Sequence, residues 1–93
     1  MSMHQATVLL RHEEGLHARP SVKLTKLAKK FESQIDLAVS LEGPWVDAKS
    51  IVKVMATRVP KGSVIHFRGE GSDIELALQA LVTLVEEDFK DGP

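Results

Sequence analysis

The hydrophobic patterning of this chain predicts an α+β fold, an antiparallel sheet covered on one face by helices and largely open to water on the other. Three observations carry that prediction. Short segments rich in β-formers, one with clear period-two alternation, recur along the chain. Segments with apolar residues three and four apart lie between them. Turn residues punctuate the changes of period. The resulting order is strand, helix, strand, strand, short helix, strand, helix.

Each element has its own reason. Residues 6–10 are apolar and rich in β-formers, and read as a strand. Residues 18–31 form the first helix, with Val22, Leu24, Leu27, Ala28 and Phe31 at helical spacing and Pro20 in the first turn, where its missing N–H costs nothing. Ile35, Leu37, Val39 and Leu41 alternate with Asp36, Ala38 and Ser40, the mark of a half-buried strand. Gly43-Pro44 signals a turn, and residues 45–48 return as a short edge strand on which Trp45 packs. Ser50 can cap a short helix that runs to about Thr57, with Ile51, Val52, Val54 and Met55 as its apolar residues. Residues 63–68 form the fourth strand, with Ile65 and Phe67 on one face and His66 on the other. Gly69-Glu70-Gly71 reads as a turn and not as a phosphate loop. Ser72-Asp73-Ile74-Glu75 has the spacing of a capping box with Ser72 at the N-cap. Ile74, Ala77, Leu78, Leu81, Leu84 and Val85 then share one face of the last helix, and residues 91–93 read as a frayed end.

Composition bounds the function. The 93 residues suit one domain, and the absence of cysteine excludes a disulfide framework and thiol chemistry. A net charge of −1 argues against a general nucleic-acid binder. The longest apolar runs are far too short to insert in a membrane, and residues 1–5 lack the regions of a signal peptide, so a cytoplasmic protein is expected. His4, His12 and His66 show no metal-ligand spacing, and neither a metal nor another cofactor is expected. The small net charge hides an asymmetry. Arg19, Lys23, Lys26, Lys29 and Lys30 fall within residues 18–31 with no acidic residue among them, whereas the last helix carries Asp73, Glu75, Glu86, Glu87 and Asp88. The basic end can steer an acidic partner surface toward the residues beside it.

Those residues are Gly15-Leu16-His17-Ala18-Arg19-Pro20. Gly15 permits a tight turn. His17 falls at the N-cap of the first helix, where unpaired backbone N–H groups favour an anion such as phosphate. The N–H groups of Ala18 and Arg19 can hold phosphoryl oxygens, and the Arg19 guanidinium can add a charge-assisted bond. A histidine at a helix start is by itself an ordinary surface residue. What gives this one weight is that Gly15 to Pro20 resembles the active-site motif of the HPr family, the histidine phosphocarriers of the bacterial sugar phosphotransferase system. The resemblance extends over about residues 4–89. A second motif, Ala48-Lys49-Ser50-Ile51, lies where that family keeps a regulatory serine.

The resemblance implies an open-faced β-sandwich with strand order 1-4-2-3 and three helices on one face. It implies that His17 accepts a phosphoryl group on Nδ1 from enzyme I and passes it to IIA domains of sugar permeases or related regulatory proteins. Such a protein is a stoichiometric carrier, read here as a monomer, and not an enzyme acting on a small molecule. Ser50 matches the serine on which a kinase and phosphatase act in many bacteria. A phosphate there gains from the helix dipole yet adds negative charge to a face that must meet an acidic partner. The short helix cannot bury all its apolar residues, so an interface is expected over Ile51, Val52, Lys53 and Met55, with Arg19, Lys26 and Lys29 beside it. Lys53, residues 56–60 and residues 43–47 depart from common family patterns, which bears on the choice of partner. One alternative is a regulatory interaction protein that acts through the Ser50 helix without carrying phosphate, but His17 and Arg19 are both intact. An RNA-binding α+β module is the other. It calls for aromatic residues on the open sheet face, and the chain has only Phe31, Trp45, Phe67 and Phe89.

Overall fold

A computed structural model describes residues 3–13 and 15–90. The chain runs β1 (His4–Leu9), α1 (Ala18–Ala28), β2 (Gln34–Ala38), β3 (Val46–Asp47), α2 (Ile51–Thr57), β4 (Val64–Glu70) and α3 (Ile74–Glu86). The four strands form one antiparallel sheet in the order β1-β4-β2-β3, as the family resemblance implies. β4 and β2 are thus the interior strands, and Phe67 of β4 lies opposite Ala6 of β1 on one side and Leu37 of β2 on the other. The expected frayed end at residues 91–93 lies outside the described residues, as do the first two residues of the segment read as carrying no leader.

The core lies between one sheet face and the helices. Val8, Ile35, Leu37, Ile65 and Phe67 face inward from the strands, and Leu24, Ala28, Val54, Ile74, Ala77, Leu78, Leu81 and Val85 meet them from α1, α2 and α3. Full burial of each large aliphatic or aromatic side chain contributes about 1.5–3 kcal/mol. The period-two reading of β4 holds: Ile65 and Phe67 are fully buried and His66 is half-buried on the opposite face. On that outer face the Arg68 guanidinium stacks on Trp45 at 4.1 Å, and Arg68 Nε approaches Asp36 Oδ2 at 3.8 Å. Burial pushes the Asp36 carboxyl above its ordinary value; Arg68 opposes that shift and Asp47 adds to it. Lys23 donates from Nζ to the Phe89 carbonyl at 2.8 Å and joins α1 to the chain beyond α3.

Several boundaries differ from the sequence reading. β1 starts at His4 and α1 ends at Ala28, with Phe31 in the bend that follows. β2 stops at Ala38, which leaves Val39 and Leu41 exposed at the β2–β3 turn despite their alternation. The edge strand is two residues long, and Trp45 precedes it, donating from Nε1 to the Leu41 carbonyl. Gly69 and Glu70 belong to β4 and not to a turn. Gly69 is needed there because a Cβ would lie 2.0 Å from the Gln34 carbonyl oxygen and 2.8 Å from Ile74 Cδ1.

The largest departure is at the start of α3. Its N-cap is Asp73 and not Ser72, and the Asp73 side chain makes no cap bond. Its carboxylate instead accepts from the Glu32 and Ser33 N–H groups, each at 3.0 Å, and from the buried Ser33 hydroxyl. Ser33 Oγ in turn accepts from the Asp73 N–H at 3.2 Å. A tertiary network that binds the α1–β2 corner to the β4–α3 corner has replaced a local cap, because it makes four hydrogen bonds at once. The Ser33 hydroxyl, with the Glu32 N–H next in effect, holds the Asp73 carboxyl below its ordinary value of 3.8. A carboxyl depressed by folding contributes stability above its unfolded pKa and loses it as pH falls through the folded one. Asp73→Asn should therefore lower the urea midpoint at pH 6, and the gap from the parent should narrow at pH 3. Parallel midpoints at both pH values would show that the carboxylate does not hold these corners.

Candidate functional site

The site grows from the turn before α1. Gly15 has φ 71, and a Cβ there would stand 2.6 Å from the Val59 carbonyl oxygen, so only glycine lets the two backbones meet. The Leu16 N–H donates to that same carbonyl at 2.8 Å, the Leu16 side chain is buried, and the Leu16 carbonyl accepts from Ser21 Oγ at 3.2 Å. Pro20 and Ser21 are buried beneath the turn, and Thr25 Oγ1 donates back to the Ser21 carbonyl at 3.0 Å. His17 is thereby fixed as the N-cap of α1 with φ −85 and ψ −162, and its carbonyl accepts the Ser21 N–H at 3.0 Å.

Its ring is exposed, as are Ala18 and Arg19. The Ala18 and Arg19 N–H groups begin the helix, no side chain caps them, and Pro20 has no N–H to add. The arrangement presents an imidazole, two backbone donors and one guanidinium at a helix N-terminus, the groups that can hold a phosphoryl unit on the ring. His17 stands between two clefts. One, of about 590 Å³, is lined by Leu16, His17, Val52, Met55 and Arg58 among others. The second is lined by His17, Ala18, Arg19 and Pro60, and the ion pair of Lys61 with Glu13, at 3.1 Å, closes its rim.

α2 forms the far wall of the first cleft. Ser50 caps it as the sequence predicts, its Oγ accepting from the Lys53 N–H at 3.3 Å, and Lys49 donates from Nζ to the Phe31 carbonyl at 2.7 Å. Val54 alone of its seven residues is fully buried, whereas Val52 is 74% and Met55 40% exposed. The i, i+3, i+4 set of Val52, Met55 and Ala56 faces His17 across the cleft. Lys53 turns elsewhere and lines a neighbouring apolar cleft with Val39, Pro44 and Val46. Ile51 is half-buried. Lys26 and Lys29 are exposed but lie about 14 and 18 Å along α1 from His17 at the helical rise per residue. Of the residues read as an interface, the fold thus brings Arg19, Val52 and Met55 to the histidine and leaves Lys26, Lys29, Lys53 and Ile51 around it.

Some residues that shape the site carry no local sequence signal. Ser21 reads as an ordinary helical serine, yet its hydroxyl locks the turn. Val59 reads as loop, yet it is 2% exposed and its carbonyl receives Leu16. Arg58 ends α2 in the left-handed conformation, φ 52 and ψ 57, at a position where glycine is usual and an L-residue costs about 1–2 kcal/mol. Among the described residues no three His, Cys, Asp or Glu side chains gather to hold a metal ion, and no helix is long and apolar enough to cross a membrane.

Known proteins resemble this chain along nearly its full length. A family profile described as the PTS HPr component phosphorylation site matches residues 4–87. A phosphocarrier protein HPr of Cupriavidus necator is 40% identical over 90 residues, which span 97% of this chain and 99% of that protein. A multiphosphoryl transfer protein of Vibrio cholerae is 41% identical over 90 residues, 96% of this chain, but the match spans only 22% of that longer protein. The crystal structure of HPr-C-His from Thermoanaerobacter tengcongensis aligns with a TM-score of 0.86 at 37% identity, over 97% of this chain and 99% of that one. With its strand order, its exposed helix-capping histidine and this full-length similarity, the chain belongs to the HPr family of phosphotransferase-system phosphocarriers.

Proposed function

We propose that His17 is the phosphoryl acceptor, that it receives the group on Nδ1 from enzyme I and that it hands the group to IIA-type domains in the cytoplasm. The observation that carries this reading is the exposed His17 ring at the α1 N-cap, next to the Ala18 and Arg19 N–H groups and the Arg19 side chain. A P–N bond forms at His17 as the bond to the donor breaks, and a second exchange moves the group on. The chain returns unchanged and acts once per transfer, as a stoichiometric carrier. The N–H groups and the guanidinium bind the equatorial phosphoryl oxygens, whose charge they stabilise during transfer. Ser50 is the regulatory site, a target for a serine kinase and phosphatase, and Val52 and Met55 with Arg19 are the centre of the docking face.

Incubation with phosphoenolpyruvate and enzyme I should give an acid-labile adduct on the chain. His17→Ala should abolish it; persistent labelling in that variant removes His17 from the role.

Arg19→Ala should slow transfer while leaving the unfolding midpoint unchanged. Loss of one preorganised donor slows water-excluded sites by about 10²–10³, so the effect in this exposed site should stay below about a hundredfold. Single-turnover rates with donor and acceptor proteins measure it, and an unchanged rate with both would leave Arg19 a solvated surface charge.

Ser50→Asp should keep the fold, because aspartate caps a helix as well as serine does, with an unfolding free energy changed by about 0.5 kcal/mol or less. Its charge should slow phosphorylation by enzyme I, more at low salt than at high salt. Met55→Ala should weaken docking without that salt dependence. Equal rates for Ser50→Asp and the parent at low salt would reduce Ser50 to a helix cap.

A further inference from the structure

We propose that Arg58 is a specificity-determining residue of the transfer surface, which holds a carboxylate on the acidic face of a protein partner docked over His17. This rests on the reading of His17 as the phosphoryl acceptor. The starting observation is a left-handed backbone position held by a residue other than glycine. Among the described residues three non-glycine residues have positive φ: Arg58, Asp88 and Phe89. Asp88 is of a type that tolerates this conformation. Phe89 is 3% exposed, with its ring edge-on to His12 at 5.7 Å, so burial offsets its strain. Arg58 has neither excuse. Its side chain is exposed, and among the described residues no carboxylate lies within ion-pair distance of it. The left-handed cap itself serves the chain, since the Arg58 N–H donates to the Met55 carbonyl at 3.2 Å, but glycine would form it without strain, so the choice of arginine points to use by something outside the chain.

Position says what that is. Arg58 lines the cleft that holds His17, and Arg19 lines the adjoining cleft that also holds His17. The two arginines therefore line adjoining clefts that share His17. Val52 and Met55 give the Arg58 cleft an exposed apolar wall. A partner must cover that wall to bring its own reactive group to His17. The basic run along α1 selects an acidic partner, and a planar guanidinium at the cleft rim fits one of its carboxylates with two parallel bonds.

The test compares the full chain with Arg58→Gly, Arg58→Asn and Arg58→Lys as substrates of enzyme I charged with phosphoenolpyruvate. Glycine and asparagine both accept the left-handed backbone, so neither should lower the urea midpoint, and Arg58→Gly should raise it. Both should raise the KM for the chain by about three- to tenfold at low salt while changing kcat less, and the gap should shrink as salt is added. Arg58→Lys should recover part of the affinity, because it restores the charge without the fork. An unchanged KM in Arg58→Gly and Arg58→Asn overturns the proposal. So does a lowered kcat at constant KM together with faster hydrolysis of the isolated phosphorylated chain, which would put Arg58 on the phosphoryl group and not on the partner. If the parent chain takes no phosphate from enzyme I, the reading of His17 fails and this proposal falls with it; parent labelling with unaltered variants overturns only the assignment of Arg58.

Discussion

The Val59 carbonyl is the contact on which the site depends. It receives the Leu16 N–H at 2.8 Å, and it lies so close to Gly15 that no side chain fits between them. This one approach fixes where α1 begins, because Leu16 is then buried and its own carbonyl is held by Ser21. It also fixes where α2 ends, since Val59 follows the Arg58 C-cap directly. The cleft between His17 and the Val52–Met55 face exists because the two helix ends are joined at this point. A reactive histidine on a free loop would lose conformational entropy at each encounter; here most of that loss is taken at folding.

The rigid frame and the reactive surface have opposite requirements, and α2 shows how they coexist. Seven residues offer one narrow buried stripe, and Val54 fills it. Ile51 is half-buried, and the fold places the exposed Val52 and Met55 beside His17. Exposed apolar area of this kind costs solubility in isolation and contributes affinity once covered. Arg58 repeats the pattern in backbone terms: a strained residue stands at the same cleft where glycine would be easier.

Elsewhere polar residues serve the frame. Asp73 does not cap its own helix but accepts three hydrogen bonds from residues 32 and 33, and Arg68 is held between Trp45 and Asp36 on the open sheet face. Lys23 and Lys49 donate to the Phe89 and Phe31 carbonyls. Lys23 belongs by sequence to the basic run of α1, yet its ammonium group, like that of Lys49, binds backbone beyond the end of a helix. The cationic surface near His17 is correspondingly narrower than a count of lysines suggests.

Much was legible in the residues themselves. Apolar periodicity, β-former content, turn residues and the Ser50 cap together located the seven elements, and Gly15 and Pro20 marked the entry to α1, because each of these signals depends on neighbours within a few positions. The strand order came only with the family resemblance, since periodicity carries no information on which strands pair. Tertiary contact decided the rest. It drew Asp73 away from a local cap toward Ser33, ended β2 before Val39 and made Ser21 and Val59 the supports of the histidine turn. Separations of 38 residues between His17 and Met55, or 40 between Ser33 and Asp73, leave no trace in local pattern. A hydrogen-bonding group takes the partner that satisfies most groups at once, and that partner exists only after the chain has packed.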